Sequence, residues 1–116
     1  MSRRGDKEYL KDILIACENI LSYKEGYDLD MFVGDRKTQD AIIRNIEIIG
    51  EAVKNISESL RNKYGYIEWK EIAKTRDKLI HVYFGVDIDI LWDIINVDIP
   101  RLKEQIKEII QKEGFN

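Results

Sequence analysis

Six apolar residues, Ile42, Ile46, Ile49, Val53, Ile56 and Leu60, recur at intervals of 4, 3, 4, 3 and 4. A helix brings such positions onto one stripe, whereas a strand sorts its side chains by alternation. The spacing is that of a coiled-coil-like seam. It predicts one long second helix from about Asp35 or Arg36 to Lys63, closed by Tyr64, Gly65 and Tyr66. Ile43 and Gly50 lie beside that seam. A glycine inside a helix costs roughly 1 kcal/mol against alanine, so a close approach of another helix is expected at Gly50.

Nothing else in the chain competes with helix. Proline occurs once, glycine 7 times, and alternating patterns bounded by turn dipeptides are absent. A first helix is expected from about Asp6 to Tyr23, with Tyr9, Ile13, Ala16, Cys17, Ile20 and Leu21 as its apolar stripe and Gly26 as its end. Tyr27 to Gly34 reads as a short connection whose Leu29, Met31, Phe32 and Val33 cap one end of the core. A third helix spans about Trp69 to Tyr83 and is followed by Gly85. The last helical region starts at Asp87 as N-cap, and Pro100 either kinks it or restarts it with Asp98 as cap. From Gln111 the tail is expected to fray. The fold class is all-α: a single domain over residues 1–116, an antiparallel bundle of four main helices with a short extra helix or a kinked last one.

The chain is 116 residues long, 44% hydrophobic and 35% charged. Such a balance implies long solvated helical faces and a core that a partner subunit helps to complete, because small domains bury proportionally less surface. Cys17 has no partner for a disulfide and reads as a small buried hydrophobe. The polar stretch Met1 to Lys11 predicts no secretory leader, and no apolar run reaches membrane-spanning length, so a cytoplasmic protein that avoids membranes is expected. The net charge of −3 argues against broad electrostatic capture of nucleic acid. A nucleic-acid role therefore needs a locally basic site on an acidic body.

His81 is the one histidine, so any imidazole chemistry must use it. Read as helix, Lys70, Lys74 and Lys78 form a basic stripe that ends at His81, and Asp77 lies one turn before the imidazole, where it can fix the tautomer. Arg76 and Tyr83 share another face. Arg76 and His81 are five apart, about 140° around an ideal helix, so they do not point the same way. Either the helix distorts, or the arginine bends round, or a symmetry-related copy completes the site. The scattered carboxylates show no ligand spacing with His81, so no metal is expected, and no glycine-rich phosphate loop is present.

The run Arg76-x4-His81-x-Tyr83 resembles the Arg-x4-His-x-Tyr motif of HepT-like toxins in the HEPN superfamily. Arg44-Asn-Ile-Glu-Ile-Ile-Gly-Glu-Ala-Val53 resembles that family's long-helix signature, Trp69-Lys-Glu-Ile-Ala73 its approach to the motif, and Tyr83-Phe-Gly-Val-Asp87 the segment that follows. The resemblance covers about Leu10 to Ile110. It implies a HEPN-type four-helix bundle, a homodimer with the motifs facing a shared cleft, and metal-independent endoribonuclease activity without a cofactor. It also implies an MntA-type nucleotidyltransferase antitoxin that transfers AMP onto Tyr83 and so blocks the site.

In physical terms, RNA brings its own nucleophile, so cleavage needs a proton acceptor, charge stabilisation and alignment. His81 is the candidate base, Arg76 the phosphate ligand, and Lys70, Lys74 and Lys78 the RNA-binding residues. Glu47, on the flank of the seam, supports them by holding Arg76 or orienting the motif helix. Plainer readings stand beside these. His81 could be a half-buried structural histidine, Arg76 a surface ion-pair partner of Asp77 or Glu71, Tyr83 and Phe84 packing aromatics, and Arg44, Asn45 and Glu47 solvated polar residues. The rival function is a non-catalytic helical dimer that binds a nucleotidyltransferase or a nucleotide, a reading favoured by the acidic charge.

Overall fold

The computed structural model describes residues 4–81 and 85–116, with Ile80 and His81 described by their backbone alone. The chain is all-α, apart from one two-residue strand pair. Helix α1 (Asp6–Lys24) starts where Glu8 accepts the Gly5 N–H at 3.0 Å. It buries Leu10, Ile13, Ala16, Cys17 and Ile20, and burial pushes the Cys17 thiol up to about 12. Helix α2 (Leu29–Val33) is the short extra helix. Of its apolar residues only Phe32 is buried, against Trp92 at 5.0 Å, whereas Leu29, Met31 and Val33 face outward. Three of the four residues expected to cap the core therefore do not.

Helix α3 (Arg36–Asn55) is capped by Asp35, whose carboxylate accepts the Thr38 N–H at 3.0 Å. Tyr27 donates its hydroxyl to the same carboxylate, as does Thr38, and together they bring its pKa down to about 2, the Tyr27 bond contributing most. The long second helix expected to reach Lys63 stops at Asn55. Ser57 is the reason: its Oγ accepts the Leu60 N–H at 3.1 Å and caps helix α4 (Glu58–Lys63). Asp6 meanwhile takes the Ser57 N–H and hydroxyl at 2.8 and 2.6 Å, bonds a continuous helix could not offer. The seam survives the break, since Ile56 and Leu60 are both buried.

Two such long-range bonds orient the bundle. Asp6, at the start of α1, meets Ser57 just past the end of α3. Lys24, at the end of α1, donates to Asn96 at 2.9 Å, near the start of the last helical region. Hence α1 runs antiparallel to both neighbours, and its buried stripe meets theirs in one continuous core. Asp87 does cap helix α7 (Ile88–Asp93). The region then passes through a π turn (Ile94–Asp98) into helix α8 (Ile99–Glu113). Asp98 keeps helical backbone angles and makes no capping bond, so Pro100 does not restart the helix; the wider π turn absorbs its missing donor. Nor does the tail fray at Gln111. Gly114, at φ 70°, lets its own N–H reach the Gln111 carbonyl and that of Phe115 reach Ile110, which seats Phe115 against the core.

The third helix departs most from expectation. It is broken into α5 (Trp69–Ala73) and α6 (Thr75–Leu79), and the chain then enters strand β1 (Ile80–His81), antiparallel to β2 (Gly85–Val86). At Lys74 the amide is shared between the carbonyls of Lys70 and Glu71, and the Thr75 hydroxyl also bonds Glu71, so the turn tightens. Beyond Leu79, pairing of Ile80 with Val86 and a bond from the Asp87 N–H to the Leu79 carbonyl replace helical bonds. Gly85 supplies the φ of 76° that this return requires.

Candidate active site

Helices α5 and α6 carry the cationic residues Lys70, Arg76 and Lys78. Trp69 is buried and donates its indole N–H to the Tyr64 carbonyl at 3.1 Å, which ties the start of α5 to the end of α4. At the other end of α5, a Cβ on Gly50 would sit 3.3 Å from the Ala73 carbonyl oxygen, so the close approach expected at Gly50 is real and its partner is α5. Fully buried Leu79 anchors α6 to the core. The cations thus stand on a frame fixed at three points.

On this frame Arg76 turns toward α3, and its Nε lies 2.8 Å from Glu47 Oε2. The guanidinium is half exposed and has no other ion-pair partner among the described residues. Its partner is neither Asp77 nor Glu71. Glu71 is taken by Lys78 at 2.9 Å, a bond that holds the Glu71 carboxyl below the usual range. Lys70 and Lys74 are exposed and make no ion pair among the described residues. Glu47, read from sequence as holding Arg76 or orienting the motif helix, is the residue that meets Arg76; Asn45, on the same helix, is buried, donating to Ala41 and accepting from Asn19.

The helical geometry assumed for the motif does not survive. With β1 beginning at Ile80, the angle between Arg76 and His81 and the one-turn relation of Asp77 to His81 both lose their basis, and the lysine stripe is interrupted at Lys74. The His81 side chain and Tyr83 lie outside the described residues. Among the described residues, no group of three or more His, Cys, Asp or Glu side chains is arranged to hold a metal ion. No described helix is long and apolar enough to cross a membrane.

The model of the family described as ribonuclease HepT-like matches residues 13–109. The chain belongs to the HepT-like ribonuclease family. It is 48% identical over 107 residues to a protein of Caldanaerobacter subterraneus subsp. tengcongensis that carries a provisional RNase name, covering 92% of this chain and 96% of that one. A Thermococcus cleftensis protein named probable ribonuclease HepT is 45% identical over 107 residues, 92% of this chain and 97% of the relative. A Methanocaldococcus jannaschii protein, also under a provisional RNase name, is 43% identical over 111 residues, 96% of this chain and 92% of its own length. No solved structure matches the chain. The span shared with this HepT-like family holds Glu47, Arg76, His81 and Tyr83 together.

Proposed function

We propose that this HepT-like protein is the toxin of a toxin–antitoxin pair, a metal-independent endoribonuclease that acts as a homodimer. The observation that carries this reading is Arg76 held at Nε by Glu47, half exposed and otherwise unpaired among the described residues. A guanidinium held on one edge keeps its terminal N–H groups for a phosphate, and so meets the charge that develops on phosphorus without first reorganising. In the proposed reaction neutral His81 takes the proton of the RNA 2′-OH, and the 2′-oxygen attacks the adjacent phosphorus. The bond from phosphorus to the 5′-oxygen breaks, and that oxygen takes a proton from His81 of the partner subunit. The products are a 2′,3′-cyclic phosphate and a 5′-hydroxyl. Lys70 and Lys74, exposed and without an ion pair among the described residues, approach the RNA backbone. AMP placed on Tyr83 by an MntA-type nucleotidyltransferase would set an anion among these cations and exclude the substrate.

The test is cleavage of RNA in EDTA by the protein made without its neighbouring nucleotidyltransferase. Cleavage lost in both Arg76→Ala and His81→Ala supports the nuclease; intact RNA with the unmodified protein refutes it. Intact mass of protein made with the transferase should rise in steps of one AMP, and Tyr83→Phe should abolish the step.

A further inference from the structure

Between α3, the α5–α6 pair and the start of α8 lies a cavity of about 270 Å³. Its floor is apolar, formed by Ile46, Ile49, Ile72, Ile99 and Leu102. At its rim stands Tyr66, 60% exposed and braced edge-to-face by buried Tyr64 at 6.3 Å. A single exposed aromatic is ordinary, but one held in place at the mouth of an apolar cavity is a ready stacking surface. The charges around it largely cancel. Lys78 is paired with Glu71 at 2.9 Å and Arg101 with Asp98 at 3.1 Å, which leaves Glu68 without an ion pair among the described residues. Such a rim offers a phosphate no free cation. The cavity nevertheless abuts the candidate active site. Ile46 and Thr75 line it, and the next residues of the same two helices, Glu47 and Arg76, form the ion pair. Neighbouring Cα atoms are only about 3.8 Å apart.

We propose that this cavity holds one unstacked base of single-stranded RNA, its face on Tyr66 and its edge toward Glu68, while the neighbouring phosphate lies on Arg76. The inference rests on the reading of the protein as an RNA-cleaving enzyme. Size limits the occupant. Pockets for whole drug-sized ligands occupy about 300–1,000 Å³, so this one admits a ring system and not a helix of a partner. A base is flat and neutral, with apolar faces that suit the isoleucine floor and the phenol, and an edge that needs hydrogen-bond partners. Ionised Glu68 can only accept. It therefore favours adenine and cytosine, whose exocyclic amines donate, over uracil, whose corresponding edge carries a carbonyl. Thr75 and Gln105 offer both donor and acceptor, and so do not discriminate. Holding the base would fix the ribose beside Arg76 and restrict the approach of the 2′-oxygen to phosphorus. A protein of net charge −3 gains little from its overall field, and stacking adds affinity that salt does not screen.

The experiment measures binding of RNA oligomers to full-length His81→Ala protein over a range of salt concentrations. The oligomers are A, C and U strands of about ten nucleotides and an abasic strand of the same length. Tyr66→Ala is expected to weaken binding of the A strand about tenfold, the size of one lost stack. Stacking releases no counterion, so the slope of log K against log salt should not change, whereas Arg76→Ala should make it shallower by about 0.7. Tyr66→Phe should bind as the parent does. The abasic strand should bind about tenfold more weakly than the A strand and be indifferent to Tyr66→Ala. Glu68→Ala should remove a preference for A and C over U, and carries the test if Tyr66→Ala fails to fold. Unchanged affinity in Tyr66→Ala, a slope reduced as in Arg76→Ala, or abasic RNA bound as tightly as the A strand overturns the pocket. Self-association of the RNA-free protein that needs Tyr66, with RNA affinity unaltered, would overturn it in favour of an interface between copies. Cleavage of the same A strand by the His81 protein reports separately on the nuclease reading.

Discussion

Replacing Glu47 separates the positioning of Arg76 from its presence. The pair is 2.8 Å long with side chains 50% and 33% exposed, so solvent screens it substantially. Pairs this open contribute about 0.2–1 kcal/mol to stability, so Glu47→Gln should lower Tm by no more than about 5 °C. The effect on catalysis should be larger, because a guanidinium released from Glu47 must be ordered again in each transition state. Loss of one charge-assisted bond that orients it, about 1.5–3 kcal/mol, corresponds to roughly 10–100-fold in rate. We therefore expect kcat on a defined RNA to fall in that range with KM changed only a few-fold. Glu47→Asp, which keeps the charge on a shorter arm, should recover part of it. Steady-state cleavage beside thermal unfolding of the same preparations decides the matter. Full activity in Glu47→Ala would refute the reasoning, as would a loss of activity that simply follows the fraction unfolded at the assay temperature.

Two further outcomes follow from the scaffold. Gly50→Ala should fail to gain the roughly 1 kcal/mol that helix propensity favours, because its Cβ would meet the Ala73 carbonyl at 3.3 Å and press α5 outward; chemical denaturation showing a full gain would contradict this. Asp35 has a folded pKa of about 2 against 3.8 for the free group, so its contribution to stability is complete above pH 3.8 and disappears as pH falls toward 2. Asp35→Asn, which can still cap α3, should narrow its stability gap from the parent over that interval, as followed by unfolding midpoints in acid.

What the sequence made legible was whatever depends on residues close along the chain. Apolar spacing gave the seam on α3, and the Asp87 cap and the approach at Gly50 followed from residue type and position. Boundaries failed where distant groups intervened. Ile56 continues the seam, yet α3 ends there because Asp6, at the start of α1, claims the hydrogen bonds of Ser57. Likewise the tail is held by Gly114 and by Glu113, which accepts from Lys63 and Tyr64 at 2.7 Å each. A pattern confined to one segment carries no trace of such competitors.

The same distinction explains the candidate site. The residue types were visible: one histidine, an arginine before it and lysines along the approach. Their mutual geometry was not, because it was inferred by extending one helical period across Lys74 and Leu79, where tight turns and then strand pairing take over. Once the period is broken, placement depends on contacts between elements. Arg76 is aimed by a carboxylate on α3, and Lys78 is withdrawn by Glu71 on α5. Of the predicted lysine stripe, that leaves Lys70 and Lys74 without an ion pair among the described residues. Electrostatic sites on an acidic helical protein are thus better sought by asking which cations lack partners than by asking which cations are periodic.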